Sequence, residues 1–235
     1  SNSAKPTFAI GNEATATGDD GFAIGNGANA EALGGIAIGR GAKALPNSTD
    51  NNDNQNYSLA IGYGASASGN SSISIGTGAA TNEVSGIALG ESALATGVWG
   101  TAIGTSANAN GMGSASLGGH ADALGSFSTS LGYDSEAAGD YAISIGFESE
   151  ADYENSIAIG KSATTTAANQ IMLGNSSQAV NISNLSGSGT VVVEVDSNGQ
   201  LQRSTTDLSG ISTNTINIST NTSNITTNAS NISTN

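Results

Sequence analysis

The chain has 235 residues, of which 37% are hydrophobic with Ala counted and 4% aromatic, while Gly, Ala, Ser, Asn and Thr make up about two-thirds, so a core of large interlocking side chains is excluded. Five Lys and Arg stand against 19 Asp and Glu, a net charge of -14, which excludes direct nucleic-acid binding because phosphate contacts need clustered cations. Cysteine is absent, which removes disulfides, thiolate metal sites and cysteine nucleophiles. No apolar run is long enough to span a bilayer, so any membrane anchor is expected outside this fragment.

From the N-terminus, Ile-Gly or Leu-Gly pairs place glycines at 11, 25, 39, 62, 76, 90, 104, 118, 132, 146, 160 and 174. Every interval is 14 residues except one of 23, which holds a nine-residue insertion. A period this regular signals a repeat architecture, in which many like rungs bury a thin core together. The position before each glycine is Ile or Leu, and the position three before is mostly large, as in Phe8, Phe22, Ile73 and Ile157. The third and fifth positions after it are mostly Ala, as in Ala93 and Ala95. Shared parity is the signature of strands with one face inward, so each rung reads as two short strands and two turns. The large residues of the first strand are expected to pack on the Ala face of the second. The alternate face, Ala9, Ala23, Ala37, Ala60, Ala88, Ala102 and Ala158, is then left needing a partner, which implies an oligomer. Fourteen residues are too few for a helical repeat, so a β-solenoid is expected, with twelve rungs stacked over about 50 Å.

The insertion Leu45 to Gln55 breaks the column as a protruding loop, with Asp50 and Asp53 as candidate metal ligands. After the last rung, residues 175–209 form a connector. Val191 to Val195 reads as a strand, Ser197-Asn198-Gly199 as a tight turn and Gln200 to Ser204 as a returning strand, a hairpin that caps the last rung. Residues 210–235 place Ile211, Ile218, Ile225 and Ile232 seven apart, with Asn three residues after each. Asn, Ser and Thr are poor helix formers, yet this spacing gives a coiled coil with Ile at a and Asn at d. Buried Asn needs a reason, and three amides turning NH2 groups to an axis are expected to hold chloride-like anions at Asn214, Asn221 and Asn228.

The rungs SIAIGKSATTTA, SLAIGYGASASGNSS and TAIGTSANANG resemble the head repeats of the YadA-like trimeric autotransporter adhesins, and ISTNT in the tail is similar to the polar stalks of that family. The resemblance implies a left-handed parallel β-roll, a homotrimer with a parallel coiled-coil stalk, and display at the cell surface from a Gram-negative outer membrane. It further implies multivalent adhesion to host extracellular matrix, cells or abiotic surfaces, with a surface protein or glycan as partner. The connector lacks the usual TDAVN-like neck, and its Val-rich and Asp-x-Asn-Gly segments keep a phage or tail-fibre-like receptor-binding shaft as the alternative.

No catalytic constellation appears, and His120, the single histidine, lies in a turn. The IGxGA pattern is shared with hexapeptide acyltransferases, but 14 is not a multiple of six, so no enzyme is expected. Two aromatic columns share turn positions: Trp99, Phe127 and Tyr141 nine after the motif glycine, and Tyr63, Tyr133 and Phe147 one after it. They are candidates either to grip a protein or glycan or to fill seams between chains. Asp122, Glu136 and Glu150 stack on consecutive rungs at an outward position, a like-charge ladder that either stays hydrated, meets a basic partner or takes calcium.

Overall fold

The structure, a computed structural model, describes residues 6–46, 57–178, 180, 193–195, 201–203 and 209–234. Most of the insertion, including Asp50 and Asp53, lies outside the described residues, as does the turn of the connector. The chain divides into two compact units, Ser1–Ala179 and Val180–Asn235.

The first unit is a parallel β-solenoid. In each full rung a three-residue strand such as Ile87–Leu89 ends at the motif glycine. A turn follows, closed by Ala93 N–H donating to the Gly90 carbonyl at 3.3 Å, and then a two-residue strand, Leu94–Ala95. A second turn, closed by Gly100 N–H on the Gly97 carbonyl at 2.9 Å, leads to the next rung. Long strands stack into a 12-stranded parallel sheet and short ones into a 9-stranded sheet. Bridges Glu136↔Glu150 and Glu150↔Thr164 carry the shorter sheet further. Register follows the sequence period, with Ile87 opposite Thr101 and Leu94 opposite Asn108.

The motif glycine has a steric cause. Gly104 holds φ +137°, and a Cβ there would collide with the Gly118 carbonyl oxygen of the next rung. The stacked rungs approach so closely at this corner that only hydrogen fits.

The expected facing of the longer strand is reversed. Ala23, Ala37, Ala60, Ala88, Ala102 and Ala158 are fully buried inside the roll, where they meet Ala28, Ala30, Ala93, Ala95 and their equivalents. The Ile and Leu positions beside them point outward, with Ile75 37%, Ile103 37%, Leu131 45% and Ile159 40% exposed. The small residues are therefore satisfied within the chain, and the large apolar column is the one left at the surface. The physical reason is volume: a rung of five strand residues encloses a slot wide enough for methyl and hydroxymethyl groups but not for two layers of Ile. Several serines enter this slot with their hydrogen bonds supplied inside it, whereas the hydroxyls of Ser58, Ser72, Ser114 and Ser128 are buried without a partner. Ser74 bonds Thr81 at 3.0 Å, Ser130 bonds Ser135 at 2.6 Å and Ser144 bonds Ser149 at 2.7 Å. Each buried hydroxyl so paired avoids the desolvation cost of an unmet donor.

In the second unit Val193–Val195 and Leu201–Arg203 pair antiparallel, Val195 opposite Leu201. Helix α1 spans Ser209–Thr234 and carries no charge in its first or last turn. Its hydroxyls bond back along the helix, as in Thr226 Oγ1 to the Thr222 carbonyl at 2.9 Å. Ile218, Ile225 and Ile232 form an exposed apolar seam. Among the described residues no helix is long and apolar enough to cross a membrane.

Candidate binding surfaces

Three outward features of the solenoid carry chemistry. The first is the edge immediately after the motif glycine. Tyr133 and Phe147, on consecutive rungs, stack at 5.8 Å between centroids with 12° between planes. His120 meets Tyr133 edge-on at 5.6 Å, and the Lys161 ammonium stands 5.4 Å over the Phe147 ring. Further toward the N-terminus, the Arg40 guanidinium lies 5.5 Å over Tyr63. Aromatic side chains one rung apart can stack, and a cation at the end of the row meets the negative face of the ring. Tyr63, Tyr133 and Phe147 are all substantially exposed. Composition by residue class hid Arg40 and Lys161 as parts of these ladders, although their shared place after the motif glycine is readable once the period is known.

The opposite edge carries Trp99, Phe127 and Tyr141, which are 56%, 44% and 56% exposed. Phe127 and Tyr141 stack at 5.6 Å with 9° between planes. All three hold left-handed backbone, with φ of 60°, 56° and 59°. At the same turn position other rungs use Asp20, Ser71, Ser85, Asn155 or Gly, residues better suited to positive φ. Met112, Leu124 and Tyr153 add exposed apolar surface nearby, which the aromatic count alone did not single out.

The third feature is the acidic ladder on the outer face of the shorter sheet. Asp122 pairs with Glu136 and Glu136 bridges to Glu150, so three carboxylates stand on successive rungs. Asp134, Glu136, Glu148, Glu150, Ser162 and Thr164 line an open cleft of about 420 Å³. Partial burial raises the Glu136 pKa above its ordinary 4.5, and Asp152, Asp122, Glu150 and Asp134 raise it further by repulsion. Among the described residues, no group of three His, Asp or Glu is gathered in a way that holds a metal ion. His120 lies exposed in its turn with φ 56°, its ring against Tyr133. Asn214, Asn221 and Asn228 all lie on α1, where they are exposed along the single helix.

Residues 3–28, 16–42, 55–79, 123–149 and 154–169 match the YadA head domain repeat. The crystal structure of the collagen-binding domain of the Yersinia adhesin YadA is similar, at 23% identity and a TM-score of 0.46, over 73% of this chain and 83% of that one. No curated protein matches the chain.

Proposed function

We propose that the solenoid, segments of which match the YadA head domain repeat, is a non-enzymatic adhesin head of the YadA kind and works as a trimer in multivalent attachment to host matrix, cells or abiotic surfaces. The family match carries this reading. Two features of the chain support the trimer. The Ile and Leu column along the longer sheet is an apolar face that a single chain leaves in water. Helix α1 is poor in helix formers, lacks charges at its ends and exposes Ile218, Ile225 and Ile232, so its stability has to come from packing against further copies. In a parallel three-stranded coil Asn214, Asn221 and Asn228 turn inward and hold chloride. Each contact with a surface is weak, and three heads on one stalk convert it to lasting attachment. Display outside a Gram-negative outer membrane belongs to the same proposal.

The test has two arms. Sedimentation of the purified chain is expected to give three copies, and a monomer overturns the trimer. Solid-phase binding to collagens, other matrix proteins, glycans and polystyrene is expected to find at least one ligand, with loss of binding when the apolar column is disrupted. Absence of binding to all of these overturns the adhesive reading.

A further inference from the structure

Five consecutive turns along the edge that carries Trp99 leave an apolar strip in water. The turns after the rungs of Gly90, Gly104, Gly118, Gly132 and Gly146 hold Trp99, Met112, Phe127, Tyr141 and Tyr153, all between 41% and 56% exposed. At about 4.8 Å per rung the strip runs roughly 20 Å along the roll, more than the single apolar residues that any surface scatters. The turn itself does not require rings. Ser85 and Asn155 hold the same left-handed backbone, with φ of 55° and 53° against 60°, 56° and 59° at Trp99, Phe127 and Tyr141. Phe127 and Tyr141 stack on each other, but among the described residues no ring stacks on Trp99. Gly113 puts no side chain between Trp99 and Phe127, and the Phe127 ring leans over it, with Cδ1 2.9 Å from where a Cβ would stand. The strip is therefore notched between its tryptophan and its stacked pair.

Charge decides what fits this strip. On the other edge of the roll an aromatic ring takes a cation from the adjacent rung, Arg40 over Tyr63 and Lys161 over Phe147. The five Lys and Arg of the chain stand at 5, 40, 43, 161 and 203, and none falls on the turns of the Trp99 edge. Those turns carry carboxylates instead. Asp140 precedes Tyr141, and its Oδ1 accepts the Ser126 N–H at 2.8 Å, which holds the carboxylate beside the turn of Phe127. Glu154 follows Tyr153 on the next rung, exposed like Asp140. Ring faces attract cations, and carboxylates beside them receive the donors of Arg or Lys. We propose that this edge docks a basic polypeptide segment of another protein, its Arg or Lys side chains on Phe127, Tyr141, Asp140 and Glu154 and its apolar side chains on Trp99 and Met112. The proposal deepens the adhesin reading above and rests on it for placing that protein on a foreign surface. A second copy of this chain, at a net charge of -14, has the wrong sign for the edge.

Trp99 is the single tryptophan, so its emission reports on this edge alone. Titrating the full chain with a capped peptide of Arg, Leu and Gly is expected to shift that emission to the blue and protect it from acrylamide, while the counterpart with Glu in place of Arg leaves it unchanged. Phe127→Ser, Tyr141→Ser keeps the reporter and introduces the residue that Ser85 shows this turn to accept. It is expected to weaken peptide binding by roughly tenfold or more. Asp140→Asn, Glu154→Gln weakens it comparably. Asp122→Asn, Glu136→Gln, Glu150→Gln, on the shorter sheet, weakens it less although it removes more charge. Equal losses in these last two variants reduce the binding to general attraction for an acidic protein and overturn the site. A Trp99 already shielded from acrylamide in the peptide-free chain gives the edge to another copy and overturns it too, as does protection by a neutral glycan and not by the basic peptide. A chain that attaches to matrix proteins yet ignores the peptide loses this inference alone, whereas one that binds the peptide here yet attaches to no surface loses the adhesive reading alone.

Discussion

The glycines of this chain do two different jobs, and substitutions separate them. Gly104 has no room for a Cβ, because the next rung's backbone occupies that space at Gly118. Gly27 holds φ +64° with nothing within 4 Å of where a Cβ would stand, so it supplies conformational freedom alone. Gly104→Ala is expected to cost on the order of 3 kcal/mol or more, since stacked backbone has to separate. Gly27→Ala costs about 1 kcal/mol, the ordinary penalty of left-handed backbone. Thermal melts of the two variants check the ranking, and equal losses contradict it. Glu136 offers a second residue-level test. Its raised pKa means that the folded chain holds the proton more tightly than the unfolded chain, so stability falls as pH rises from 4.5 through the raised value. The charged form is therefore unfavourable at neutral pH. Glu136→Gln is expected to melt higher than the parent at about pH 7, with the gap narrowing in high salt and closing at about pH 3.5, where both carboxyl states are protonated. A gap that stays constant with pH rules out repulsion as its cause.

At the scale of the element, the unit is the 14-residue rung, and its independence follows from stacking on nearest neighbours only. Removing Thr77 to Gly90 joins Gly76 to Glu91 in phase and is expected to leave a folded roll one rung shorter. Removing Thr77 to Glu83 joins one kind of turn to the other and sets each strand beyond the junction against the other sheet, out of the rung order. Circular dichroism and melting of the two deletions distinguish a modular roll from one with a unique central core. The rung was legible in the sequence because its glycines are sterically obligatory and so cannot drift. The facing of the longer strand was not, because large apolar side chains ordinarily mark an interior and here they line the outside. The better signal is restriction of size: the interior position runs Ala or Ser from Ala9 to Ala158 and widens to Met172 only on the last rung, whereas the outer position accepts Phe8, Ile73, Thr101 and Ala115 alike. The aromatic columns were placed at turns by counting alone, but their stacking and their cations Lys161 and Arg40 depend on side-chain geometry that counting does not supply. In α1 the Asn heptads make a prediction of their own. If the proposed trimer holds chloride at these layers, replacing chloride by a large organic anion is expected to lower the melting temperature, and Asn221→Ile to diminish that dependence. Identical melts in both salts remove the anion from the stalk.

At the scale of the whole molecule, the reversed strand separates folding from assembly. The roll interior of Ala and Ser is complete within one chain, and its backbone ladders run rung to rung without help from another copy. The Ile and Leu column contributes little to that interior and is instead the surface that the proposed trimer would bury. Carboxylates placed there are therefore expected to break assembly while sparing the roll. In Ile75→Asp, Ile103→Asp the new charges lie two rungs apart on a face that is half-exposed in the single chain, so they remain hydrated in a monomer. Closing three such faces on one axis brings six carboxylates into an apolar core, at a desolvation cost of several kcal/mol per charge. The variant is expected to sediment as a monomer with the circular dichroism of the parent roll. Its attachment to a surface that holds the parent is expected to weaken by roughly 10²-fold or more, because avidity is lost while each contact is kept. A monomer that binds as well as the parent separates adhesion from trimerisation, and a variant that loses its β signal places these isoleucines in the folding core after all.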